Sequence, residues 1–187
     1  METTRASCGN YWHLDFIGVT SGGLPLPRLS NTPAATEAPG LYLVARQHAG
    51  ETPGSWVLDG LLRRAASGLD PADLLIWTVP LAHLDGVVAG EYGKDPFPWD
   101  LNRAWTNPPM RHETRVITSD LTRWAQQAKP ALAIDFHAPS PTEAEGAYFF
   151  LPREERPKVS RTAAQKAVKG IAPALPKALL HVQPTRQ

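Results

Sequence analysis

The sequence predicts an α/β domain built on a mainly parallel mixed sheet flanked by helices, and three observations carry the prediction. Three short apolar runs, residues 41–46 (LYLVAR), 74–79 (LLIWTV) and 131–136 (ALAIDF), have the unbroken hydrophobic character of strands buried on both faces. Segments with apolar residues at helical spacing separate them. At 187 residues the chain has the length of about one domain and can bury a substantial core. In a sheet of alternating strands and helices, ligand sites form beyond the carboxyl ends of the strands.

Residues 15–29 (DFIGVTSGGLPLPRL) set two apolar runs about a Gly-Gly pair, the pattern of a hairpin. A polar, proline-containing loop over 30–40 leads to the first buried strand. Thr52 suits a helix N-cap and Pro53 the first helical position. Trp56, Val57, Gly60, Leu61 and Arg64 follow at helical spacing until Gly68 can close the helix, which is expected over about 53–67. Asp70 and Pro71 turn the chain into the second strand, completing a β-α-β unit. Residues 80–109, rich in Gly, Pro and Asp, read as loop. Val116, Ile117, Leu121, Trp124 and Ala125 predict a helix over 113–129, stopped by Pro130 before the third strand. A fourth short strand is expected at 147–151 (AYFFL), followed by two short alanine- and lysine-rich helices over 161–180.

Composition narrows the function classes. Apolar residues make up 42% and charged residues 20%, which fits a soluble globular chain rather than a disordered or membrane one. Nineteen prolines, about twice the usual ~5%, indicate many loops and interrupted helices. A formal charge of +1 lacks the basic excess of nucleic-acid or anionic-lipid surfaces, so neither nucleic acid nor membrane is an expected partner. Cys8 is the only cysteine, which excludes an intrachain disulfide and a thiolate zinc cluster and favours a reducing compartment. The opening METTRASCGNYWHLDF has no apolar core behind a basic start, so no signal peptide is expected, and a cytoplasmic location is the expectation.

Two of the predicted strands deliver chemistry to one edge of the sheet. LYLVAR passes into Gln47, His48, Ala49, Gly50 and Glu51, so His48 and Glu51 occupy a strand-to-helix loop, and ALAIDF delivers His137 to the same edge. One carboxylate and two imidazoles leave the fourth position of a zinc ion open for water, as a catalytic site requires; a structural site would fill all four. Between these segments lies DLNRAW, residues 100–105. The Arg103 guanidinium suits bidentate capture of a carboxylate, and the Asn102 amide can add a bond. Singly, each feature has a plainer reading: His-x-x-Glu spacing arises by chance, strand-end histidines are commonly scaffold, and loop arginines are commonly solvated. Trp56 and Trp105 are expected to pack the helix and the loop against the sheet, since tryptophan is mostly buried.

Taken together, these segments resemble the zinc metallocarboxypeptidases, and more narrowly their cytosolic branch. ARQHAGETPGSWVLDGLL (45–62) is similar to that branch's A-R-x-H-P-G-E-T/S-x-x-S-W motif, and PLAHLDGVVAGEY (80–92) to its P-x-x-N-P-D-G-V-x-x-G-N-Y. DLNRAW (100–105) and DFHAPS (135–140), the latter like D-x-H-G-H, complete four motifs in order, and IGVTSGGLPLPRL is similar to the strand pair that precedes the first ligand. The resemblance covers about residues 15–150. It implies a zinc carboxypeptidase-like fold with one zinc ion per chain bound by His48, Glu51 and His137. It also implies a peptide's terminal carboxylate held by Asn102 and Arg103, with Asp100 orienting a ligating histidine. The implied reaction is removal of C-terminal amino acids from peptides or proteins: zinc lowers the pKa of its bound water toward ~7 and a separate glutamate moves the proton.

The chain departs from the pattern at two places. In the resembled branch an arginine follows G-N-Y and stabilises the oxyanion; here Gly93 aligns with it, and Lys94 is the adjacent cation, without the fork geometry. The family's general base lies on a strand further downstream of the third ligand than the fifty residues that follow His137. Glu143, Glu145, Glu154 and Glu155 match no family motif, so the catalytic base is unassigned, and residues 1–187 are expected to be a single carboxypeptidase-like domain lacking its C-terminal portion. Two other readings stand beside this one. The aspartoacylase and succinylglutamate desuccinylase group shares the His-x-x-Glu, Asn-Arg and Asp-x-His elements, although SWVLDGLL and LDGVVAGEY favour the peptidase side. A catalytically silent remnant that binds zinc or peptide C-termini without cleavage is the other.

Overall fold

The computed structural model describes residues 9–32, 34, 37–139 and 166, and the backbone of 148–150 and 181–183. The helices expected over 161–180, Lys166 apart, and the four glutamates at 143, 145, 154 and 155 lie outside the described residues. The chain forms two compact units, Met1–Ala138 and Pro139–Gln187.

The first unit is built on a five-stranded sheet. Its strands are β1 (His13–Val19), β2 (Pro25–Ser30), β3 (Pro39–Ala45), β4 (Leu75–Val79) and β5 (Lys129–Phe136), in the order β1-β2-β4-β3-β5. The helices are α1 (Thr52–Ala66), the short α2 (Leu84–Ala89) and α3 (His112–Gln127). The expected mixed α/β sheet is present. Its parallel part is β4-β3-β5, and its antiparallel part is the β1-β2 hairpin and the pairing of β2 with β4. In the second unit β6 (Tyr148–Phe150) lies within the strand expected at 147–151 and pairs in parallel with β7 (His181–Gln183).

The unbroken apolar runs serve two faces at once, because side chains alternate across a strand. Tyr42, Val44, Leu75, Trp77 and Val79 point to the face covered by α3, where they meet Ile117 and Trp124. Leu43, Ala45 and Ile76 point to the opposite face, where they meet Leu58, Leu62 and Ala65 of α1. Strand β5 is last in the described order, and its Ala131, Ala133 and Asp135 are exposed rather than buried. Its register with β3 shifts once, from Gly40↔Pro130 to Leu41↔Leu132, so Ala131 is an unpaired extra residue; below it the pairing runs regularly to Ala45↔Phe136.

Three local expectations are corrected. Glu51, not Thr52, occupies the N-cap of α1, and it makes no side-chain cap bond because its carboxylate is engaged elsewhere. The stretch read as loop contains α2, closed by Gly90 in the left-handed region at φ 74°, and a 3-10 turn over Leu101–Arg103 capped by the Asp100 carboxylate. Trp56 is 75% exposed rather than packed. The buried stripe of α1 is Gly54, Leu58, Leu62 and Ala65, and Trp56 lies two residues, about 200°, round the helix from Gly54.

Candidate metal centre

Both histidines arrive from neighbouring parallel strands. Because Ala45 pairs with Phe136, the chain leaves β3 and β5 at the same level of the sheet. Arg46 turns the first of these exits with φ 62°, and its guanidinium donates from Nε to the Ala49 carbonyl at 2.6 Å, holding the loop that carries His48 and Glu51. Gly50 donates its N–H to the Tyr92 carbonyl at 2.8 Å, which lays the 91–94 segment against the same loop.

His48, Glu51 and His137 are brought together, with one ligand atom from each lying within 4.8 Å of the others. His48 Nδ1 is 2.9 Å from Glu51 Oε1, and His137 Nδ1 is 2.7 Å from Oε2. The far nitrogen of each imidazole faces a carboxylate: His48 Nε2 is 3.3 Å from Asp100 Oδ1, and His137 Nε2 is 2.5 Å from Asp135 Oδ2. This donor set fits a zinc ion. Two nitrogens and an oxygen converge, each histidine has the outer carboxylate that metal-bound histidines typically have, and three ligands leave one coordination position free.

Electrostatics hold Glu51 and His137 ionised. Burial pushes the Glu51 carboxyl up, but hydrogen bonds from His137, His48, Lys94 and the Ala138 N–H outweigh it and keep the group well below the usual carboxylate range. Burial pushes the His137 imidazole down, yet the carboxylates of Asp135 and Glu51 raise it to about 9 in the absence of metal.

The other residues singled out from sequence are placed as follows. Asp100 is buried against His48 and also accepts the Asn102 N–H at 2.8 Å. Asn102 is half-buried and Arg103 exposed in the turn that follows. Among the described residues neither side chain contacts the histidine–glutamate cluster. Gly93 has φ 85°, and a Cβ there would stand 2.6 Å from the Ala49 nitrogen. Lys94 reaches the cluster instead, with Nζ 3.0 Å from Glu51 Oε1. Trp105 is 37% exposed rather than packed away, and its indole N–H is donated to Gln47 Oε1. Sequence reading assigned no role to Asp135 or Gln47. The Asp-x-His spacing held a signal for Asp135, since residues two apart on a strand share a face; nothing marked Gln47.

No family model matches the chain. Among curated proteins it is similar to Cytosolic carboxypeptidase 1 of Gallus gallus, 34% identical over 110 residues, and to Cytosolic carboxypeptidase 6 of Caenorhabditis elegans, 31% identical over 109 residues. Each match covers 54% of this chain but only 9% and 24% of the respective relative, so the chain spans less than a quarter of the curated relatives' length. Among solved structures, a metallo-carboxypeptidase from Burkholderia cenocepacia superposes with a TM-score of 0.70 at 21% identity, over 98% of this chain and 52% of that one. Bovine thrombin-activatable fibrinolysis inhibitor, solved with tick carboxypeptidase inhibitor, superposes with a TM-score of 0.61 at 13% identity, over 97% and 72%. These structures share the fold; the sequence relatives narrow the branch. The chain thus has the metallo-carboxypeptidase fold, and over about 110 residues its sequence is similar to the cytosolic carboxypeptidases.

Proposed function

We propose that the protein hydrolyses the C-terminal peptide bond of peptides or proteins with one zinc ion held by His48, Glu51 and His137. The observation that carries this reading is the convergence of both imidazole Nδ1 atoms on the buried Glu51 carboxylate, with Asp100 and Asp135 behind them. Zinc bound there would polarise the scissile carbonyl and acidify a water.

The chain's own residues supply the rest. Asp100 and Asp135 fix the orientation of the two imidazoles. Arg103, on the turn that Asp100 caps, offers its exposed fork to the substrate's terminal carboxylate, with Asn102 beside it. Lys94, whose Nζ lies 3.0 Å from Glu51 Oε1, is the cation that would stabilise the oxyanion. Among the described residues the carboxylates touching the histidine pair are Glu51, Asp100 and Asp135, each engaged with an imidazole, so the proton-transferring base is left unassigned. No helix among the described residues is long and apolar enough to cross a membrane, and the names of the relatives support a cytoplasmic location.

The test is to incubate purified protein and one equivalent of zinc with peptides ending in Glu or Lys, and separately with N-acetyl-aspartate. Release of the terminal amino acid from a peptide, absent in His48→Ala, is the expected result. Stoichiometric zinc with no release from any peptide would overturn the hydrolytic reading, and release from N-acetyl-aspartate alone would reassign the substrate.

A further inference from the structure

A line of hydrogen bonds runs from the substrate-facing turn to the third metal ligand. Trp105, two residues beyond Arg103, donates its indole N–H to Gln47 Oε1. Gln47 donates from Nε2 to Asp135 Oδ2, and the same oxygen lies 2.5 Å from His137 Nε2. Gln47 is buried, and it stands immediately before His48, so it belongs to the ligand loop while facing the other strand's ligand.

The polarity of this line is determined from both ends. An indole N–H can only donate, so the amide must turn its oxygen to Trp105 and its NH2 to Asp135. An ionised carboxylate can only accept, which demands the same orientation of the amide and draws the proton of His137 onto Nε2. A neutral imidazole carries one proton. Without metal, Nδ1 donates to Glu51 Oε2 at 2.7 Å; with Nε2 bonded to Asp135, Nδ1 is the nitrogen that gives up its proton to a metal, leaving the neutral form a metal requires. On the strength of the metal-binding reading above, we infer that Gln47 is a positioning residue: it holds Asp135 so that His137 offers Nδ1 to the metal, and it ties that ligand to Trp105 on the carboxylate-binding turn.

This linkage differs from a packing role in its consequences. Methionine has the length of glutamine and no amide, so Gln47→Met keeps the volume and cuts the line. Trp105→Phe removes the indole donor at a partly exposed site and leaves Gln47 with one end unpaired.

The experiment is a zinc titration of the full chain, read by competition with a chelating dye and by tryptophan fluorescence, together with the visible spectrum of the cobalt-loaded protein. Gln47→Met should bind zinc about 10–100-fold more weakly than the wild type, as loss of an outer-shell partner generally does. Its cobalt bands should shift. The part of the zinc-induced fluorescence change that Trp105→Phe abolishes should also be missing from Gln47→Met at saturating zinc. Trp105→Phe, with Gln47 intact, should weaken zinc binding by less than Gln47→Met does. Wild-type zinc affinity with an unshifted cobalt spectrum in Gln47→Met would overturn the inference, and so would a Trp105 signal that survives in that variant. If Gln47→Met does not fold, the result rests on Trp105→Phe, where unchanged zinc affinity would overturn it. Peptide cleavage is not read, so failure of the hydrolytic reading leaves these outcomes intact; a wild-type protein that takes up no zinc would overturn both.

Discussion

Lys94 Nζ stands 3.0 Å from Oε1 of Glu51, the same carboxylate oxygen that faces His48. The ammonium is half-exposed while the carboxylate is buried, so a cation at the solvent boundary lies against a proposed metal ligand. Zinc at Glu51 would feel its repulsion. Lys94→Met should therefore tighten zinc binding about two- to fivefold, the factor that ~0.5–1 kcal/mol of a half-exposed pair allows. The same variant should slow peptide hydrolysis by about 10²-fold if the ammonium stabilises the oxyanion. Chelator competition and steady-state rates check the two effects separately, and weaker zinc binding in the variant would contradict the first.

Gly93 cannot accept a side chain in this backbone. Its φ of 85° is in the left-handed region, and a Cβ would meet the Ala49 nitrogen at 2.6 Å and His48 Cα at 3.3 Å. Gly93→Ala is expected to cost more than the ~1–2 kcal/mol of the backbone conformation alone, because the ligand loop must also shift. Gly60 of α1 is the control: a Cβ there meets open space, and Gly60→Ala should stabilise by about 0.5–1 kcal/mol. Urea midpoints moving in opposite directions would verify the pair.

Glu113 makes acid stability testable away from the metal centre. Burial pushes its carboxyl up, but the Ser21 N–H at 2.7 Å and the Arg111 charge outweigh this and hold it below the usual glutamate value. A group with a lowered folded pKa contributes stability above its unfolded value, ~4.3, and loses it as pH falls through the folded value. Wild type should exceed Glu113→Gln in stability at pH 7, and the gap should close as the pH drops below about 4. Denaturation curves at both pH values decide it; a gap that stays constant would mean that the Glu113 carboxyl adds no acid sensitivity.

Asp100 does two things with one oxygen, since Oδ1 accepts the Asn102 N–H at 2.8 Å and faces His48 Nε2 at 3.3 Å. Asparagine keeps the capping oxygen and removes the charge. Asp100→Asn should retain the circular dichroism of the wild type while weakening zinc binding about 10–100-fold. A calorimetric titration with zinc would expose an unchanged affinity, and with it a purely structural Asp100.

The convergence of His48, Glu51 and His137 was legible because residue type and position suffice for it: imidazoles and a carboxylate at the ends of apolar runs on neighbouring strands meet whatever the details of packing. Strands β3, β4 and β5 were legible for the same reason, since their apolar runs have no other use. Glu51 as N-cap was not, because Thr52 is the better capping residue by propensity, and the Glu51 carboxylate is engaged by two imidazoles rather than by the helix's own N–H groups. At six residues, α2 is too short to show a period, and the glycine that closes it looks like loop punctuation. Trp56 was misread by composition: tryptophan is usually buried, but the helix turns this one away from the stripe that packs. Gln47 left no trace in sequence, since a hydrogen bond between an amide and a carboxylate 88 positions away has no spacing rule.

The unpaired Ala131 in β5 has a consequence for how this protein can change over time. Upstream of it lie helix α3 and its junction, where gaining or losing one residue would rotate everything after it to the wrong side of the sheet. Downstream lies a strand whose alternation determines that His137 faces Glu51. A bulge between the two is slack in the line, a place where a one-residue difference in length can be taken up without being passed on. The bulge thus separates the end of the helix from the alternation that aims His137 at Glu51.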